Sequence, residues 1–92
     1  MIQSFVDKRA KKLMSGERVA ELANIEMQAR TRLIRLDSAT SPEDLRALRG
    51  NRLEALTGDR KGQFSIRIND QYRICFKWKA EGPIDVEITD YH

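Results

Sequence analysis

QFSIRINDQYRICFKW, residues 63–78, decides the fold. Phe64, Ile66 and Ile68 alternate with Ser65 and Arg67, and Tyr72, Ile74, Phe76 and Trp78 alternate with Arg73, Cys75 and Lys77. A repeat of two is the signature of a strand with one buried face. Asn69-Asp70 between the runs suits a tight hairpin, because both residue types tolerate positive φ. Downstream, EGP (81–83) turns the chain again, and IDVEITDYH (84–92) alternates Ile84, Val86 and Ile88 against Asp85, Glu87 and Thr89. The three runs predict an antiparallel meander with one apolar face. Its other face carries Arg67, Arg73, Cys75, Lys77, Asp85, Glu87, Thr89 and Tyr91. Strict alternation sends Asp90 and His92 the opposite way, toward the sheet rim.

Upstream, the period changes. Ile2–Val6 reads as a short strand that ties down the N-terminus. Asp7 caps a helix through about Met14, with Ala10, Leu13 and Met14 inward and Gly16 as its stop. Leu22, Ile25, Ala29, Leu33 and Leu36 recur at spacings of three and four, predicting one amphipathic helix from about Glu17 to Leu36. In TSPEDLRAL, Ser41 caps, Pro42 takes the first helical position, and Glu43 and Asp44 suit the positive end of the dipole. GNRLEALTGDRKG (50–62) reads as an ordered loop pinned by Leu53 and Leu56. The fold class is α+β, with N-terminal helices packed on one face of a small antiparallel sheet.

The 92 residues suit a single domain, 1–92, which buries only roughly 60–65% of its unfolded surface. A shallow groove fits that size better than a deep pocket. Cys75 is the single cysteine, so no internal disulfide forms and a reducing, cytoplasmic setting is expected. No run approaches the roughly 20 apolar residues of a membrane span, so no membrane partner is expected. The balance of 17 basic to 14 acidic residues is mild, but Arg46, Arg49, Arg52, Arg60, Lys61, Arg67 and Arg73 crowd one stretch. Guanidinium forks match phosphate oxygens, so a polyanionic partner is plausible.

The residue set narrows the chemistry. One His, one Cys and scattered acids make no metal-ligand pattern, and neither a metal nor a cofactor is expected. GNRLEALTG lacks the spacing of a phosphate loop. Metal-free RNA cleavage needs a base for the 2′-hydroxyl, an acid for the leaving 5′-oxygen, and cations for the phosphate. His92 has the near-neutral pKa for the proton work. Arg73 and Arg67, on one face of adjacent strands, suit the phosphate, and Tyr91 suits stacking or proton relay.

Taken together, GNRLEAL, GDRKGQFSIRIND, YRICF with its following Trp78, and the closing VEITDYH resemble the HigB toxins of the RelE-like superfamily. The resemblance spans nearly the whole chain and is strongest from Gly50 onward. It implies a compact RelE-like α+β fold and metal-free cleavage of messenger RNA on the ribosome. It implies a HigA-like helix-turn-helix antitoxin, with operator DNA bound only through the antitoxin complex. It maps active-site roles onto Asp90, Tyr91 and His92, and places Arg73 near the scissile phosphate. Some relatives carry histidine where this chain has Glu54, and lysine where it has Thr57. Glu54 then either acts as the base, or cleavage is weaker, or the residue is a solvated loop charge. Arg52 and Arg60 are close enough in sequence to offset its repulsion of phosphate.

The expected assignment is therefore His92 as principal acid or base, Tyr91 orienting or stacking, and Asp90 positioning the terminal segment. Arg73 stabilises the phosphate with help from Arg67 and Arg60; Arg52 and Lys61 extend the RNA contact. Two rivals share these features: a toxin of the same fold that poisons DNA gyrase by binding, and an RNA-binding module without catalysis.

Overall fold

A computed structural model describes residues 1–90. The chain forms helices α1 (Lys8–Met14), α2 (Glu26–Ser38) and α3 (Pro42–Arg46), then strands β1 (Glu54–Ala55), β2 (Phe64–Arg67), β3 (Tyr72–Lys79) and β4 (Gly82–Asp90). The strands pair antiparallel in the order β1-β2-β3-β4. The α+β class and the helix-first order are those expected from the sequence. Ile66, Ile74, Phe76, Val86 and Ile88 form the buried sheet face, packed with Ala10, Leu13, Leu22, Ile25, Ala29, Leu33 and Leu36 from the helical half. Among the described residues no helix is long and apolar enough to cross a membrane.

α1 follows its local signals. Asp7 Oδ1 accepts from Arg9 N at 2.9 Å, satisfying one of the helix's orphan donors. Gly16, at φ 87°, ends the helix, and Glu17 N donates back to Lys12 O at 2.9 Å.

The expected long helix from Glu17 is shorter. Val19 is extended, Ala20–Ile25 is a 3₁₀ turn with a non-helical Leu22 (φ −114°), and α-helix begins only at Glu26. Leu22 and Ile25, three residues apart, both still enter the core from this 3₁₀ segment.

Other local expectations need correction. The predicted Ile2–Val6 strand makes only a parallel bridge, Phe5 to Val86, flanked by Gln3 N to Pro83 O at 2.8 Å and Val6 N to Val86 O at 3.1 Å. Ser41 makes no side-chain cap. Asp44 Oδ2 instead accepts from Thr40 N at 2.7 Å and Thr40 Oγ1 at 2.6 Å, and those hydrogen bonds lower its pKa.

The β2–β3 turn does not use positive φ at Asn69 or Asp70. Asn69 Oδ1 accepts from Gln71 N at 2.8 Å and Tyr72 N at 2.7 Å, so a side chain closes the turn. The expected loop 50–62 contains β1, whose Glu54 and Ala55 pair with Ser65 and Phe64.

The largest departure is in β4. Cys75 pairs with Glu87, but Lys77 pairs with Ile84, so β4 holds one extra residue. Asp85 takes that place at φ 53°, the left-handed geometry of a bulge. One inserted residue flips the faces. Ile84 therefore moves to the Lys77 side, against expectation, and Pro83 takes the buried position.

Candidate active site

The sheet face away from the helices carries one continuous row of polar residues. In register, Glu54 lies opposite Ser65, Ser65 opposite Cys75, and Cys75 opposite Glu87. One step along, Arg67 lies opposite Arg73, and Arg73 opposite Thr89. A cleft of about 460 Å³ opens over this face. Glu54, Ala55, Leu56 and Thr57 form one wall, Asp59 and Arg60 the mouth, and Ser65, Arg73, Cys75 and Thr89 the floor.

Arg73 is the centre of the floor. It is only 7% exposed, unusual for a charged side chain. Its Nε donates to the Ser65 hydroxyl at 2.8 Å, and its Nη2 to the Arg52 carbonyl at 3.0 Å. Arg52 itself adopts the left-handed conformation, φ 45°. Glu54 Oε1 stands 3.8 Å from Arg73 Nη2 at the rim. Ser65 is fully buried, so its hydroxyl serves the guanidinium rather than solvent. These contacts fix the direction of a planar fork before any ligand arrives, which lowers the ordering cost of binding an oxyanion.

Arg60 guards the mouth. Its Nη1 donates to Glu87 Oε1 at 2.6 Å and Gln63 Oε1 at 3.0 Å. The Glu87 hydrogen bond is the main reason the guanidinium's pKa is raised. Both partners are partly exposed (38% and 31%), so water competes with the pair and weakens it. Cys75 is buried, and Thr89 Oγ1 lies 3.5 Å from its sulfur.

Of the residues singled out in the sequence, the cleft brings together Glu54, Arg60 and Arg73. Arg67 shares their sheet face but pairs with Asp70 outside the cleft. Arg52 is exposed and contributes its backbone carbonyl; Lys61 is exposed and does not line the cleft. Asp90, opposite Tyr72 in register, sits at the sheet's end on the helix-side face, where it accepts from Gln71 Nε2 at 3.2 Å. Tyr91 and His92 lie outside the described residues. Among the described residues no three His, Cys, Asp or Glu side chains converge as metal ligands would.

Sequence reasoning missed Ser65 as a site residue. Its signal was available: a small hydroxyl on the polar face of a strand, one step from an arginine.

Residues 3–92 match the family described as RelE-like toxin of type II toxin-antitoxin system HigB. The chain belongs to that family. A curated relative, Toxin HigB-1 of Vibrio cholerae serotype O1, is 54% identical over 43 residues. That alignment covers 47% of this chain and 45% of the relative, so it spans under half of each.

Proposed function

We propose that this toxin is a metal-independent endoribonuclease that cuts messenger RNA on the ribosome and so inhibits translation in the cytoplasm. The observation that carries the reading is the buried Arg73, aimed by Ser65 and the Arg52 carbonyl into a cleft with a carboxylate at its rim.

The chemistry follows from RNA itself. The 2′-hydroxyl is the nucleophile, so the protein has only to remove its proton, stabilise the phosphorane-like charge and protonate the departing 5′-oxygen. Arg73 supplies the charge stabilisation, which grows as negative charge accumulates on the non-bridging oxygens. Arg60 exchanges Glu87 for phosphate at the mouth. His92 acts as principal acid or base, Tyr91 orients or stacks on a base, and Asp90 positions the terminal segment. Glu54, 3.8 Å from Arg73, is the second proton-transfer group. A HigA-like helix-turn-helix antitoxin neutralises the toxin, and operator DNA is bound only through their complex.

The decisive experiment measures cleavage of messenger RNA on programmed ribosomes by wild type, His92→Gln and Arg73→Ala. Loss of cleavage in both variants, with folding retained, is expected. Full activity in both removes the assignment.

A further inference from the structure

A second group of guanidiniums lies beside the cleft and plays no part in the mechanism above. Arg32 and Arg35 stand one turn apart on α2, so they share a helix face. Arg32 reaches over the end of β2, where its Nε donates to the Arg67 carbonyl at 3.1 Å. Arg35 Nη1 meets Asn51 Oδ1 at 3.4 Å. Both arginines are thus held by neutral acceptors, and among the described residues neither forms an ion pair with a carboxylate. Arg67 does have one, Asp70, but that side chain is 97% exposed, and such a pair contributes little.

Arg32 feels the charge of both of the others. Burial lowers the pKa of Arg32 first, and the positive charges of Arg35 and Arg67 lower it further. Like charges gathered with only the exposed Asp70 as counter-ion destabilise the free protein, and an anion bridging them relieves that cost. Arg67 in turn lies directly opposite Arg73 on the same sheet face, where cross-strand neighbours sit roughly 5 Å apart. The group is therefore continuous with the cleft floor.

We infer that Arg32, Arg35 and Arg67 form a phosphate-binding ridge that carries an RNA backbone from the Arg73 cleft, past the end of β2, onto α2. The inference rests on the proposed RNA-directed activity and adds the path of the chain outside the cleft. RNA is favoured over a small anion because the group spans two layers, with Arg67 the cross-strand neighbour of Arg73 on the sheet and Arg32 and Arg35 on α2. The backbone is that of the substrate strand or of ribosomal RNA, which share the same phosphodiester chemistry.

The test is salt-dependent binding of the full chain to two probes: a non-cleavable 2′-O-methyl single-stranded oligoribonucleotide, and purified ribosomes without messenger RNA. For a single strand, each phosphate that a variant no longer neutralises reduces the slope of log K against log salt by about 0.7. Arg35→Gln is expected to reduce it by about 0.7, and Arg32→Gln with Arg35→Gln by about 1.4. Arg35 has the longer of the two anchoring hydrogen bonds, so its single variant keeps the test valid if the double variant unfolds. Arg46→Gln, on exposed α3, is expected to leave the slope unchanged.

A reduced slope on the oligoribonucleotide assigns the ridge to the substrate strand; a reduction on ribosomes alone assigns it to ribosomal RNA. An unchanged slope on both probes overturns the ridge. Wild-type cleavage on programmed ribosomes is run alongside. Cleavage with unchanged slopes removes the ridge and leaves the nuclease, whereas reduced slopes without cleavage do the reverse.

Discussion

Ser65→Ala tests whether the orientation of Arg73 is built or incidental. Ser65 is fully buried, and its hydroxyl accepts from Arg73 Nε at 2.8 Å. A hydrogen bond to a charged group contributes about 1.5–3 kcal/mol, and its loss leaves a buried donor without that acceptor. The variant should lose about 2 kcal/mol of stability, which in a domain of this size lowers Tm by about 8–16 °C. The Arg52 carbonyl still holds Nη2 at 3.0 Å, so the guanidinium stays in the cleft with one described anchor fewer. Single-turnover cleavage on programmed ribosomes should fall about tenfold, equivalent to about 1.4 kcal/mol of barrier.

Arg73→Lys keeps the charge and loses the fork, so the two substitutions should not add. A urea-unfolding double-mutant cycle should give a coupling of about 1–2 kcal/mol. Additivity within about 0.3 kcal/mol would refute the reasoning, as would undiminished cleavage by Ser65→Ala.

Three further outcomes follow from the geometry. Glu54→Gln should slow single-turnover cleavage by on the order of 10² if the carboxylate moves a proton; an unchanged rate would reduce it to a rim charge. Burial works to raise the pKa of Asp7, but hydrogen bonds from the Arg9 side chain and from Ile88 and Arg9 N–H, with the Arg9 charge, lower it overall. Its stabilisation is therefore present above the ordinary carboxylate pKa and lost as pH falls through the lower folded value. Asp7→Asn should be less stable near neutrality and lose less on acidification below about pH 4, read from unfolding midpoints against pH. Gly82→Ala should cost at least about 1 kcal/mol: φ is 135°, and an added Cβ would come within 2.5 Å of the Met1 carbonyl oxygen. Unchanged thermal unfolding would show that the N-terminal segment yields freely.

The strand face is legible wherever the repeat of two is unbroken. Ser65, Arg67, Arg73, Cys75, Glu87 and Thr89 share the polar face their alternation predicts, which is why Arg73 could be named from sequence. Where the rule met a bulge it failed, at Ile84. The missed strand β1 is two residues long, too short to show any period. The shortened α2 failed differently, since spacings of three and four serve both a 3₁₀ turn followed by an α-helix and one continuous α-helix.

By itself, then, the sequence determined the α+β class, the hairpin, the apolar sheet face and the row of charged residues behind it, because each is written in spacings of two to four residues. Tertiary structure decided what covers that row. The segment from Arg52 to Thr57 folds back over β2, bringing a carbonyl and a carboxylate to Arg73 from about twenty residues away. It likewise decided that Arg32, on the amphipathic helix, reaches the Arg67 carbonyl at the end of β2. Periodicity tells a side chain which face to take, but the partners it meets there are set by chain closure over distances no local pattern encodes.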